Sequence, residues 1–330
     1  MDSILGGRGM YKFFLAFGVG LVFSLVLMPI LIPYLHKLKF GQAIRQDGPQ
    51  SHLAKKGTPT MGGIGFVVSS VLAMLVLNIK AFTNINFVIV LLAFLGYGLI
   101  GFIDDFIIVV KKDNEGLKPK YKLLLQSILA IVFYLLYRNF AESTVLIPFF
   151  NITIDLGWLY FGLVFIMFTA ETNAVNFADG LDGLCAGLVI MALAPFVLFA
   201  IMQQQSDIAM FLLALTGALM GYLKYNMHPA KVMMGDTGSL ALGGVLAASA
   251  MVLKQELALV IIGGVFVAEM LSVVIQVSYF KLTKGKRFFK MAPIHHHFEL
   301  SGYKETQVVM LFWFAGFVLS VIGILMGVLM

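Results

Sequence analysis

Cysteine is all but missing from this chain. Cys185 is the single one in 330 residues, which excludes an intramolecular disulfide and leaves its thiol a packing role. Charge is scarce as well. Asp, Glu, Lys and Arg make up 12% of the residues against 60% hydrophobic, and the mean hydropathy is +0.95. That balance excludes an ordinary soluble domain and places the chain among membrane proteins. With no low-complexity tract, convincing repeat or soluble-domain composition in view, residues 1–330 read as one polytopic domain.

What is present is a series of long apolar runs. Runs of about 18 residues or more cross a bilayer as helices. Ten occur, at 11–35, 61–79, 86–104, 121–138, 156–173, 184–203, 207–225, 238–254, 256–281 and 306–329. The expected fold is all-α, an integral membrane protein of ten transmembrane helices. The first run is too long for a signal-peptide core and no small-residue cleavage box follows, so it is expected to remain a helix. Pro29 and Pro33 inside it are tolerated where neighbouring helices satisfy freed carbonyls.

Basic residues set the orientation. The loops after the first, third, fifth, seventh and ninth runs hold 18 of the 23 Lys and Arg. The other side keeps Arg8, Lys12, Lys80, Arg138 and Lys254. The rule that basic loops stay inside puts the odd-numbered loops in the cytoplasm and both termini outside. The net charge of +6 follows from this bias; it suits anionic lipid and gives no sign of nucleic acid. Between the fourth and fifth runs, TVLIPFFNITIDLG is β-branched and aromatic around Asn151. It predicts a short extracytoplasmic β-hairpin.

Every polar motif falls on the cytoplasmic side. ETNAVNFADGLDGL, from Glu171 to Leu184, has Asn173, Asn176, Asp179 and Asp182 but no Lys or Arg. A solvated connector accounts for Asp and Gly, but less readily for acids and amides at three-residue spacing beside hydrocarbon. If the chain stays helical past Phe177, Asp179 and Asp182 share one face. KKGTPTMGG offers Lys55, Lys56, Thr58, Thr60 and backbone N–H groups at Gly62 and Gly63, either to a phosphate or to helix packing. GFIDDF places Asp104 and Asp105 side by side, an arrangement that resists double ionisation without a cation. Lys111, Lys112, Lys118, Lys120 and Lys122 follow, suited to a phosphate or to lipid head groups.

YNMHPAKVMMGDTGS holds Asn226 and Asp236. One acid in a Gly-rich turn suits Mg²⁺, and an N-cap for the next helix is equally open. Glu269 is the acid set well inside a span and is expected to face a polar partner within the bundle. His295, His296 and His297 stand beside Lys284, Lys286, Arg287 and Lys290. Three consecutive histidines cannot readily face one metal, so they read as an anion-binding patch.

Taken together, KKGTPTMGG, GFIDDF, NAVNFADGLDGL, MGDTGSLALGG and APIHHHFE resemble the polyprenyl-phosphate N-acetylhexosamine-1-phosphate transferases over essentially the whole chain. The last motif points to the branch whose donor is UDP-MurNAc-pentapeptide. The resemblance implies transfer of phospho-MurNAc-pentapeptide to undecaprenyl phosphate, giving lipid I and UMP, with Mg²⁺ as cofactor. It also implies a homodimer in the bacterial cytoplasmic membrane with its site facing the cytoplasm. Position by position, it makes Asp236 the metal ligand and Asp104, Asp105, Asp236 and His295 the catalytic residues. Lys55, Thr60, Asn173, Asn176, Asp179, Asp182, Asn226, Met233, His296 and His297 would bind the nucleotide sugar. Lys120 and Lys122 would meet the lipid phosphate. Met233 stands where some members stack an aromatic ring on uracil. Two other readings remain: a UDP-N-acetylglucosamine transferase of the same family, and a secondary transporter. Midplane polar sites and inverted repeats would mark a transporter, whereas the acids here gather at one face.

Overall fold

The computed structural model describes residues 7–38, 55, 57–111, 116–139, 142–147, 150 and 152–328. Lys56, Lys112 and Asn151, named above, lie outside the described residues. Every apolar run is helical. In chain order the helices are α1 (Gly7–Lys37), α2 (Gly63–Leu77), α3 (Ile85–Lys111), α4 (Pro119–Tyr137), α5 (Leu159–Phe177), α6 (Leu184–Met202) and α7 (Ser206–Asn226). They continue as α8 (Gly235–Val252), α9 (Glu256–Ile262), α10 (Gly264–Leu282), the short α11 (Ile294–Glu299) and α12 (Glu305–Val328). Among the described residues, seven helices are long and apolar enough to cross a membrane: α1, α3, α4, α6, α7, α10 and α12. At 15 residues, α2 is shorter.

The ninth run differs from expectation. It is two helices, α9 and α10, divided at Gly263. Adjacent glycines at 263 and 264 weaken helix propagation there. Gly264 also lies close against Leu319 of α12. The expected hairpin is present: β1 (Thr144–Ile147) pairs antiparallel with β2 (Ile152–Asp155), Val145 opposite Ile154. Lys254, in the α8–α9 connector, holds it in place. Its Nζ donates to the carbonyls of Glu142 and Thr144 at 2.6 and 3.0 Å and lies over the Tyr160 ring.

Helix α8 is the axis of the bundle. All its residues from Thr237 to Val252 are buried, and α3 and α5 run along it. The sequence permits this because the helix is rich in Gly and Ala, and small residues let neighbouring backbones close in. Gly243 sits against Thr172 of α5, and Gly244 against Ala93 and Tyr97 of α3. Around this axis α1 packs along α7 and α12 along α6. The N-terminus of α8, which carries Asp236, is thereby held between the C-terminal ends of α3 and α5.

Candidate active site

Four helix ends meet at Asp236. Lys122, near the start of α4, pairs directly with the Asp236 carboxylate, and its Nζ lies 3.6 Å from Asp104 Oδ2. Asn176, at the end of α5, donates from Nδ2 to Asp236 Oδ1 at 2.8 Å and to Ser239 Oγ at 2.9 Å. Asp104 accepts the backbone N–H of Leu117 at 2.6 Å, and its carboxyl is within hydrogen-bonding reach of Asp236. Residues separated by more than 100 positions thus share one point of charge.

Asp105 faces elsewhere. Its carboxylate accepts the backbone N–H groups of Asp236 (3.1 Å) and Thr237 (2.9 Å) and the Thr237 hydroxyl (2.6 Å). The first turn of any helix leaves N–H groups without intrahelical partners, and a carboxylate there also complements the helix dipole. Asp105 therefore caps α8 from α3. Of the two readings left open for Asp236, the helix cap is not the one seen: Met234 stands at the N-cap, and the Asp236 carboxylate is engaged by Lys122 and Asn176. Gly235, just before it, has φ +74° and comes close to Asp105 and Thr60; an added Cβ would lie 2.6 Å from Asp105 Oδ2 and 2.7 Å from Thr60 Oγ1.

The turn after α5 separates the two aspartates that were expected on one face. Residues 178–183 form turns, and Gly183 takes φ +79°. Asp179 accepts the Gly235 backbone N–H beside the Asp236 cluster. Burial, reinforced by the negative charges of Asp236 and Asp105, holds the Asp179 carboxyl well above the usual carboxylate range. Asp182 turns the other way. It pairs with Lys55 at 2.7 Å and accepts the Ala230 N–H at 3.0 Å, with His228 Nδ1 at 3.1 Å. Glu305, at the head of α12, pairs with the same Lys55 at 2.6 Å and accepts the Asp182 backbone N–H at 2.7 Å. Burial acts to lower the Lys55 pKa, but Glu305 and Asp182 outweigh it and hold the ammonium above its ordinary value.

The remaining predicted residues splice these loops. Asn226 accepts Gly183 N–H at 3.1 Å and donates to the Val232 carbonyl at 2.9 Å. Met233 is buried; its N–H donates to the Pro59 carbonyl at 2.7 Å and its carbonyl accepts Gly62 N–H at 2.9 Å. Gly62 and Gly63 thus serve packing against the α8 entry, and Thr60 is buried beside them. Asn173, one turn before Asn176, donates to Gln126 and to the Thr169 carbonyl. Lys120 lines the cavity described below and sits over the Tyr121 ring.

The three histidines have separate partners. His295 is wholly buried, its Nδ1 3.0 Å from Oε1 of Glu269, which names the partner expected for that acid. Its other nitrogen presses on Gly180, where a Cβ would overlap it. His296 Nδ1 lies 2.8 Å from Glu299, and His297 Nδ1 accepts the Lys290 N–H at 3.1 Å. Sequence reasoning missed Glu305, His228, Ser239 and Gln126. A lone polar residue at a helix start or inside an apolar run carries no local signature of its distant partner.

A cavity of about 820 Å³ opens beside the Asp236 cluster. Asp104, Lys118, Lys122, Asn173 and Asn176 line its polar side, and Ile108, Leu123 and Phe177 its apolar side. Acid, ammonium and amide groups facing one partly apolar space suit a phosphate joined to a hydrocarbon chain. Comparison with known proteins fits this chemistry. The chain is 54% identical over 316 residues to the phospho-N-acetylmuramoyl-pentapeptide-transferase of Bacillus mycoides (strain KBAB4), covering 95% of this chain and 97% of that one. The proteins of the same name from Bacillus thuringiensis (strain Al Hakam) and Bacillus cereus (strain AH187) match at 53% with the same coverage. The chain belongs to the phospho-N-acetylmuramoyl-pentapeptide-transferase family. Residues 87–254 also match the model of the broader glycosyl transferase family 4, a span that contains Asp104, Lys122, Asn176 and Asp236. As a member of this family with several apolar helices, it is a multi-pass membrane protein.

Among the described residues, two clusters have the donor chemistry for a divalent cation. Asp104, which lines the cavity, and Asp236, within hydrogen-bonding reach of it, offer hard carboxylate oxygens, and Mg²⁺ usually takes only one or two protein carboxylates. Asp105, whose oxygens are engaged by α8, is not available to it. Asp182, His228 and Glu305 also bring ligand atoms within 4.8 Å of one another, with Lys55 paired to Asp182 and Glu305 much as Lys122 is paired to Asp236. The residues present fit Mg²⁺ at Asp104 and Asp236.

Proposed function

We propose that this protein transfers phospho-N-acetylmuramoyl-pentapeptide from its UDP carrier to undecaprenyl phosphate, forming lipid I and releasing UMP for peptidoglycan synthesis. The observation that carries this reading is that Lys122 and Asn176 hold the Asp236 carboxylate and, with Asp104, line one cavity that has an apolar side. The name shared by relatives more than half identical supports the muramoyl substrate over UDP-N-acetylglucosamine.

Phosphoryl transfer is catalysed mainly by positioning and charge stabilisation. The acceptor's phosphate monoester has its second pKa near about 6 and is largely dianionic at neutral pH, so it needs little help from a base. An acceptor oxygen attacks the β-phosphorus of the UDP-sugar in line; that P–O bond forms as the bond to the bridging oxygen breaks, and UMP leaves. Lys122 neutralises incoming phosphate charge, Asn176 orients Asp236, and Asp104 takes any residual proton. Asp105 keeps Asp236 in place through the end of α8. Lys55, Asp182 and Asn226 shape the nucleotide side, with Asp179 between it and the phosphates. Asp104 and Asp236 would hold Mg²⁺, which when bound offsets the charge gathering on the diphosphate.

In this reading the whole chain is one catalytic domain with ten spans, α9 and α10 together forming the ninth. Both termini lie outside the bacterial cytoplasmic membrane and the site faces the cytoplasm, as the basic loops favour. Cysteine labelling from each side of the membrane tests that orientation. The family likeness implies a homodimer, testable by light scattering in detergent. UMP release by purified protein, requiring both substrates and Mg²⁺, tests the activity. If UDP-sugar and UMP exchange label without acceptor, through Asp104 or Asp105, the single-step route is wrong.

A further inference from the structure

One buried polar group at the cavity has no partner among the described residues. Gln126 is 1% exposed on α4, one helical turn past Lys122, and stands in the cavity lining with Asn173 and Asn176. The neighbours fix which end of its amide is free. Asn173 Nδ2 donates to the Thr169 carbonyl at 2.7 Å, and a carbonyl can only accept, so this atom of Asn173 must be the nitrogen. Its second donation, at 2.9 Å, then requires an acceptor on Gln126, which is Oε1. The Gln126 Nε2 group is left buried with no hydrogen-bond partner among the described residues. Tyr97, by donating its hydroxyl to the Gln126 backbone carbonyl at 3.1 Å, supports that stretch of α4.

An unpaired amide donor is costly away from water and asks for an oxygen to fill it. Gln126 lines the cavity, and on this stretch of α4 Lys122 and Gln126 are one turn apart on the same face. Lys118, Lys120 and Lys122 bring positive charge to the cavity and Ile108, Leu123 and Phe177 bring hydrocarbon. We infer that Gln126 Nε2 is a binding group for the lipid acceptor, donating to a phosphate oxygen of the polyprenyl phosphate one turn deeper than Lys122. This rests on the function proposed above and adds to it a second anchor. Lys122 supplies charge without direction, whereas a fixed amide donor sets the angle at which the phosphate enters. The ligand chemistry is a phosphate ester at the head of an apolar chain.

The test is a split in Michaelis constants. In purified full-length protein, Gln126→Met removes the donor, together with the Oε1 that accepts from Asn173, at nearly the same volume. We expect its KM for undecaprenyl phosphate to rise about tenfold or more, the size of one lost hydrogen bond to a charged group. Its KM for UDP-MurNAc-pentapeptide should stay within about twofold, as for a contact made to the acceptor alone. Unchanged acceptor KM, or equal rises in both constants, would overturn the assignment. Should the variant not fold, a structure of the unaltered protein with undecaprenyl phosphate bound decides it. Nε2 within about 3.2 Å of a phosphate oxygen supports the inference, and a phosphate held away from Gln126 overturns it. Failure of the unaltered protein to release UMP would instead sink the proposed function itself.

Discussion

Single charges at this site are held by partners far away in sequence, and that makes their removal expensive. Lys55 is the clearest instance, with Asp182 and Glu305 on either side. Lys55→Met leaves two buried carboxylates facing each other. We expect a loss of about 3–5 kcal/mol, the usual cost of breaking a buried pair, read from thermal or denaturant unfolding in detergent. Adding Glu305→Gln to that variant should recover part of it. The Lys55 pKa is raised in the folded state, so its contribution is fully present below the unfolded lysine value of about 10.4 and is lost only as pH climbs through the higher folded one. The clamp is thus constant across neutral pH. Asp179 has the opposite sense. Its carboxyl is also raised, chiefly by burial, and a raised acid costs stability as pH increases from about 3.9. Asp179→Asn should therefore melt higher than the unaltered protein at neutral pH, with the gain fading toward about pH 4, while turnover falls. A melting point lowered at neutral pH would contradict that.

At the scale of helices, the device that matters is Asp105 capping α8 from α3. Asp105→Ala strands the Asp236 and Thr237 N–H groups in a buried place, at a cost of about 1–3 kcal/mol; Asp105→Asn, which keeps one acceptor oxygen, should be milder on both melting and turnover. Equal effects of the two would deny the capping role. The turn at residues 178–183 is a second such element, with His295 pressed on Gly180 and fixed behind by Glu269. Gly180→Ala forces that ring or the turn to move and should raise the KM for the nucleotide sugar more than that for the acceptor. The helices themselves were legible in the sequence because hydrocarbon burial leaves a run of apolar residues as its mark. The β-hairpin was legible from its β-branched flanks. The break at Gly263 was not separated from an ordinary membrane glycine, and the divergence of Asp179 from Asp182 was hidden because a three-residue spacing says nothing once the helix has ended.

For the whole molecule, a helix of small residues at the axis lets other helices approach until Asn176 and Lys122, 60 and 114 positions from Asp236, both meet its carboxylate. Asp104, Asp236 and Asn176 could be picked out in the sequence as chemically odd residues beside hydrocarbon. Their convergence could not, because a contact between distant loops leaves no local pattern. For the same reason the sequence did not reveal that Asp105 holds the start of α8 through Asp236 and Thr237, and Glu269 had no visible partner until His295 was placed against it. Convergence is also where the functional account is most exposed. The most direct measurement is UMP release by the purified protein with UDP-MurNAc-pentapeptide, undecaprenyl phosphate and Mg²⁺, beside the Asp236→Asn variant checked for an unchanged fold. The account predicts release that needs all three components, with turnover in the variant lower by about a hundredfold or more, the scale of losing a key electrostatic group. Turnover in a folded Asp236→Asn variant close to that of the unaltered protein would contradict it.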